Sequence, residues 1–197
     1  MKILLTIIVI LILLVIGTYC NTLFRGRPLI WKQVLSQLKM PTDSQVAILG
    51  LNYAGLFIDI AKMLKAPGKV TGVNIGNDNV IKQEQQRIKD HQVADRAKLV
   101  DGSLVNLPLE SRHYDYVLSA FTFHSVSPAI NRGRAIQEAA RVMKPEGTLV
   151  IVDFGDLQQY RPLLHRLGFQ NVRIIPTGMD GWWGGPWLKT GILVAKR

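Results

Sequence analysis

Cysteine is nearly absent: Cys20 stands alone in the chain. No intramolecular disulfide can form, which agrees with a reducing compartment. Cys20 is open to acylation or is an inert thiol. Metal-ligand spacing is missing too, since His91, His113 and His165 are isolated and no His/Cys/carboxylate cluster forms, so no metal is expected. The net charge is +10, yet there is no arginine-rich run or aromatic–basic repeat, and Asp and Glu are interleaved after residue 40. Nucleic acid is therefore not an expected partner, whereas a basic surface suits a protein lying against anionic lipid. Internal repeats and low-complexity segments are lacking as well, which leaves 197 residues for one domain with a sizeable core and one appendage.

What is present first is a long apolar run. From Ile3 to Cys20 there is no charged residue, and Ile, Leu and Val dominate. As a helix this run is about 27 Å long at about 1.5 Å per residue, roughly a hydrocarbon core. A cleaved signal peptide has a shorter apolar region and a small-residue exit, whereas this exit reads Gly17-Thr18-Tyr19-Cys20. Lys2 precedes the run; Arg25, Arg27, Lys32 and Lys39 follow it. By the positive-inside rule the expectation is a single-pass membrane protein whose C-terminal part is cytoplasmic. Residues 1–22 are the expected transmembrane anchor, 23–44 a juxtamembrane amphipathic helix and linker, and 45–197 the folded domain.

That domain alternates. Pro28 to Met40 reads as an amphipathic helix lying on the sheet or the membrane surface, stopped at Pro41-Thr42-Asp43. Strands are expected at 46–49, 70–74, 97–100, 114–119, 148–153, 172–175 and 188–195. Helices are expected at 54–64, 78–91, 130–143 and 157–167, with Lys144-Pro145-Glu146-Gly147 as a turn. Strands separated by helices imply a parallel sheet, because parallel neighbours need a crossover. The last two strands lack a helix between them and should form an antiparallel hairpin at one edge. The fold class is α/β: a Rossmann-like, seven-stranded, mostly parallel sheet with helices on both faces.

Within it, Gln45 to Asn74 reads as strand, glycine turn, helix, strand. Such a unit sets backbone N–H groups beside the end of a buried strand, and the second strand ends in a polar side chain able to reach a ribose. It is a nucleotide-type cradle; glycines placed merely for tight packing give the same pattern.

The order of motifs carries a resemblance: a glycine turn after strand one, Gly72-Val73-Asn74-Ile75, Asp101-Gly102-Ser103, Leu107-Pro108 with Tyr114-Asp115-Tyr116-Val117, and Lys144-Pro145-Glu146-Gly147. From Val46 to Arg197 the chain resembles class I S-adenosylmethionine-dependent methyltransferases, of the type 11 group that includes quinone-biosynthesis C-methyltransferases. The resemblance implies S-adenosylmethionine as cofactor. It also implies that Gly50, Asn52 and Gly55 line the methionine and ribose end, Asn74 bonds the ribose, Asp101, Gly102 and Ser103 face the adenine, and Ser119, Ala120 and Phe121 flank the methionine and the reaction centre. The cofactor motif is degenerate: Ile48 stands where the family has an acidic residue, Leu51-Asn52-Tyr53-Ala54 crowds the turn, and Asn74 replaces the strand-two acid. A neutral amide loses the charge-assisted share of a ribose bond, about 1 kcal/mol.

Methyl transfer from a sulfonium is an in-line displacement that needs mostly positioning, with a general base only if the nucleophile must shed a proton. His124, in the loop after strand four, is the candidate base; a histidine hydrogen-bonded within its loop is the other reading. Asp153 contacts substrate or caps a turn. The Trp-rich stretch 178–187 sits among headgroups, covers a substrate, or folds over the sheet edge. Two functions follow: methyl transfer to a small-molecule or lipidic acceptor at the cytoplasmic membrane face, or a non-catalytic membrane-tethered interaction module on the same fold.

Overall fold

The structure, a computed structural model, describes all residues except Met1, Asn77 and Asp156. Its sheet has seven strands: β1 (Gln45–Leu49), β2 (Lys69–Asn74), β3 (Ala97–Asp101), β4 (Tyr114–Ala120), β5 (Met143–Phe154), β6 (Asn171–Pro176) and β7 (Thr190–Lys196). The spatial order is β3-β2-β1-β4-β5-β7-β6, with β1 to β5 parallel and β7 antiparallel to both neighbours. The expected edge hairpin is present, its second strand turned inward beside β5. Strand order reverses between β1 and β4, and open α/β sheets take ligands in the crevice beyond the strand ends at such a point.

Side chains alternate across each strand, so the sheet builds a core on both faces. Ala47, Leu49, Val117, Leu149 and Ile151 pack with Ile136, Ala139 and Leu164. The last three come from α5 (Ile130–Val142) and α6 (Arg161–Arg166). On the opposite face, Val46, Ile48, Leu118 and Val150 meet Leu56, Phe57 and Ile60 of α3 (Ala54–Met63) and Ile88 of α4 (Asp78–Asp90). Ile30, Trp31 and Val34 join this second layer, which settles the place of the amphipathic helix: it lies on the sheet.

Three elements differ from expectation, each for a local reason. The N-terminal region is one helical rod, α1 (Lys2–Asn21), a π turn (Thr22–Gly26) and α2 (Arg27–Leu38), rather than two separated helices. Pro28 has no N–H to return to the preceding turn, and the backbone absorbs this by widening, with Arg27 N–H donating to Thr22 O. Strand β5 begins at Met143, and the Lys144–Gly147 turn is a bulge inside it: Tyr114 pairs with Met143 and Tyr116 with Thr148. The helix expected at 157–167 opens as a 3-10 turn, Leu157–Tyr160, because Pro162 sits at the N-terminus of α6.

Among the described residues one helix is long and apolar enough to cross a membrane by length and composition, and its apolar window is unburied. Ile3 through Ile16 present their side chains outward.

The loop after β3, which carries Gly102 and Ser103, is pinned by α5. Arg141 donates to both carboxylate oxygens of Glu138, to Leu107 O and Leu109 O and to Ser111 Oγ. Glu138 Oε2 also accepts Leu107 N–H at 2.8 Å. The hydrogen bonds from Arg141 hold the Glu138 carboxyl below its usual range, against a smaller opposing effect of burial. Because the folded pKa is the lower one, this stabilisation is present above the ordinary carboxylate range and is lost as pH falls through the depressed value. Arg141→Met is expected to cost about 2 kcal/mol at neutral pH, by the worth of hydrogen bonds to charged groups, and less in acid. Urea unfolding at pH 7 and below pH 4 measures the difference.

Candidate functional site at the strand ends

The turn after β1 sits against the end of β2, since Leu49 pairs with Val73 and Gly50 N–H donates to Val73 O at 3.0 Å. Gly50 has a φ of +80°, and any Cβ there would run into Thr122. Glycine is required for both reasons. The expected partners Gly50 and Asn74 are thus neighbours.

Asn74 is buried, and its Nδ2 donates to Asp101 Oδ1 at 2.8 Å, joining the ends of β2 and β3. Gly102 N–H donates to Asn74 O. Asp101, Ser103 and Ile75 are exposed beside them, and Gly76 has open space where a side chain would stand. The groups offered here are the Asp101 carboxylate and approachable backbone at Gly76, the kinds of partner an adenosyl group takes. The neutral Asn74 gains sense here, because a carboxylate at 74 would face Asp101 across that 2.8 Å contact.

The part of the crevice beyond β4 is more enclosed. Ser119 is fully buried, its hydroxyl donating to Leu49 O, and Ala120 is buried beside it. Phe121 takes a left-handed φ of 53°, costing about 1–2 kcal/mol for a residue with a Cβ. Two bonds hold it: Phe121 N–H donates to Val152 O, and Asn52 Nδ2 donates to Phe121 O at 2.7 Å. Asn52 therefore ties the β1 turn to the β4 loop. Gly55 opens α3, with Tyr53 the nearest side chain to it.

Arg27, Tyr53 and Trp183 stand together here; Tyr53 belongs to the crowded turn and Trp183 to the Trp-rich stretch, while no sequence motif indicated Arg27. Arg27 donates to Asn52 O at 2.8 Å, and its guanidinium lies over the Tyr53, Phe121 and Trp183 rings. Burial, then the Asp59 carboxylate, pushes the Tyr53 hydroxyl above its ordinary value, so Arg27 faces a neutral ring. Trp183 also meets Phe154 and Tyr19, and its indole N–H donates to Thr190 Oγ1. Arg27 reads as one more cation after an apolar run; only the rod's packing brings it here.

His124 and Asp153 meet beyond β4 and β5. His124 Nδ1 lies 2.7 Å from Asp153 Oδ1, while Oδ2 accepts His124 N–H at 3.0 Å and Oδ1 also accepts Phe154 N–H at 2.8 Å. A carboxylate accepts only, so the neutral ring carries its proton on Nδ1 and leaves Nε2 as a base. The imidazole packs on Phe154, centroids 3.9 Å apart, and stays half-exposed. Asp153→Ala is expected to destabilise the protein by about 2 kcal/mol by leaving buried N–H groups unpaired, and to speed amide exchange at His124 and Phe154.

The profile of the methyltransferase domain family matches residues 51–151, just over half of the chain. The demethylmenaquinone methyltransferase of Lactiplantibacillus plantarum is 30% identical over 122 residues, 62% of this chain and 50% of that protein. The ubiquinone/menaquinone biosynthesis C-methyltransferase UbiE of Pseudomonas putida is 27% identical over 135 residues, 68% of this chain and 51% of that protein. The chain spans about half the length of the curated relatives it matches. Among solved structures, a SAM-dependent methyltransferase from Aquifex aeolicus superposes with a TM-score of 0.64 at 19% identity, covering 84% of this chain and 88% of that one, a likeness of fold. With the reversal of strand order, the glycine turn and the Asn74–Asp101 junction in place, the chain belongs to the S-adenosylmethionine-dependent methyltransferase family.

Proposed function

We propose that this protein transfers the methyl group of S-adenosylmethionine to a small-molecule or lipidic acceptor at the cytoplasmic face of a membrane, held there by α1. The observation that carries the reading is the His124–Asp153 pair, standing beside an aromatic cluster that runs to the end of the apolar helix. The cofactor supplies an electrophilic methyl on a sulfonium. Asn74, Asp101 and Gly102 hold the adenosyl half, with Gly50 allowing the turn its tight course. His124 Nε2 accepts the proton that an acidic acceptor sheds, while Asp153 orients the ring and stabilises the imidazolium that forms. Phe121, Phe154 and Trp183 exclude water from the transfer.

The membrane face is supported by a second set of residues. Gly184 lies against Val15, Tyr19 meets Trp183 at 5.6 Å, and Phe24, Met179 and Trp187 are exposed at the same end of the molecule. Tyr and Trp favour the headgroup level, and Arg25 stands among them. The names of the relatives point to quinone-type acceptors.

The non-catalytic reading has one observation in its favour, the Arg27 guanidinium lodged among rings at the methionine half. Calorimetry on the full chain in detergent separates the two. S-adenosylhomocysteine is expected to bind, and no heat up to millimolar ligand would overturn the enzyme reading. Membranes incubated with methyl-labelled cofactor are expected to yield label in the lipid or small-molecule fraction. His124→Gln should lower that transfer about a hundredfold, by the usual worth of a general base, with cofactor affinity unchanged.

A further inference from the structure

Arg27 occupies an unusual seat for a guanidinium. Its central carbon lies 4.8 Å from the Phe121 ring centroid, 5.2 Å from Tyr53 and 5.9 Å from Trp183. All three fall within the roughly 6 Å over which a ring attracts a cation. One terminal nitrogen donates to Asn52 O, while the buried Nε finds no acceptor among the described residues. Arginine ordinarily gathers carboxylates or carbonyls around its planar fork. Here rings do much of the holding, and an orphaned buried donor costs about 1–3 kcal/mol. The seat attracts a positive charge and matches this particular one imperfectly.

Its walls stand where the ligand belongs. Tyr53 and Asn52 lie in the turn after β1 and Phe121 directly follows β4, the two strands between which the sheet order reverses. The methyl donor is a sulfonium cation, and the product left after transfer is a neutral thioether. We infer that Tyr53, Phe121 and Trp183 form a cation seat for the sulfonium of the methyl donor, and that Arg27 fills it as an internal competitor until the donor displaces it. The inference rests on the cofactor reading above.

The arrangement has a consequence for the N-terminal rod. Arg27 follows the π turn, which is fixed to the loop after β6: Thr22 Oγ1 donates to Trp182 O at 2.6 Å, and Gly26 abuts the Asp180 carbonyl. Withdrawal of Arg27 therefore disturbs the same junction that seats α1 and Trp183. Donor binding and the seating of the apolar helix are coupled through one side chain.

The test uses the full chain in lipid nanodiscs, with calorimetric affinities for S-adenosylmethionine and S-adenosylhomocysteine. Arg27→Gln is expected to tighten the cationic donor about tenfold, the scale of a desolvated cation–ring contact, and to change the neutral product less than threefold. Arg27→Lys, which keeps a cation, is expected to stay near the wild type. Equal weakening of both ligands by Arg27→Gln would overturn the inference and make Arg27 a clamp for the carboxylate they share; no change in either would overturn it as well. A second measurement needs no variant: in the wild-type chain the donor should speed amide exchange across residues 22–30 and the product should not. Equal protection by both ligands would count against displacement. Absence of binding by both ligands to wild type and variant would sink the cofactor reading and this inference together, whereas product binding without a selective gain for the donor defeats the inference alone.

Discussion

The junction between the π turn and the loop after β6 is the contact on which the site's geometry depends. Gly26 must be glycine, because a Cβ there would collide with the Asp180 carbonyl, and Thr22 is fully buried with its hydroxyl spent on Trp182 O. These close approaches fix the rod's rotation about its own axis. That rotation decides which residues of α2 meet the sheet, Ile30, Trp31 and Val34, and which residue reaches the strand ends, Arg27. The orientation of the apolar helix is thereby indexed to the ends of the strands.

The sheet supplies the other half of the arrangement. Five parallel strands place their carboxyl ends at one level, and the left-handed residue Phe121 turns the chain out of β4 there. Its backbone strain is held from both sides of β4, by Asn52 in the turn after β1 and by Val152 of β5. The His124–Asp153 pair is built on the same plan. The carboxylate at the end of β5 accepts the backbone N–H of His124 and fixes its ring, so loop conformation and tautomer are set by one buried group. Positioning of this kind is what an in-line displacement asks of a protein.

Much of the fold was legible because its signals are local. Val46 to Leu49 and Tyr114 to Ser119 are apolar runs bounded by turns, and the lack of a helix between 175 and 188 forced the edge hairpin. The site was legible where adjacency follows from register, as with Gly50 and Asn74. Elsewhere the determinant is tertiary. Nothing near Arg27 in the sequence distinguishes it from Arg25, yet two residues along the rod separate an exposed arginine from one set against three rings. The bulge at Lys144–Gly147 was read as a turn because Pro and Gly mark chain reversal; Lys144 bonding Asp115 at 2.8 Å keeps that segment against β4 instead.

Positions 48 and 74 are different cases. The Asn74 amide donates to Asp101, so the junction carries a single carboxylate and sets no two negative charges against each other. Ile48 is buried in the core with Phe57 and Leu118. The charged side chain that reaches the crevice beyond β4 is Arg27, from the start of α2. Ile48 brings no charge to the end of β1 and Arg27 brings a positive one. On the proposal made above, a cationic donor meets repulsion there that its neutral product escapes, and whatever moves Arg27 sets the affinity of the site for its methyl source.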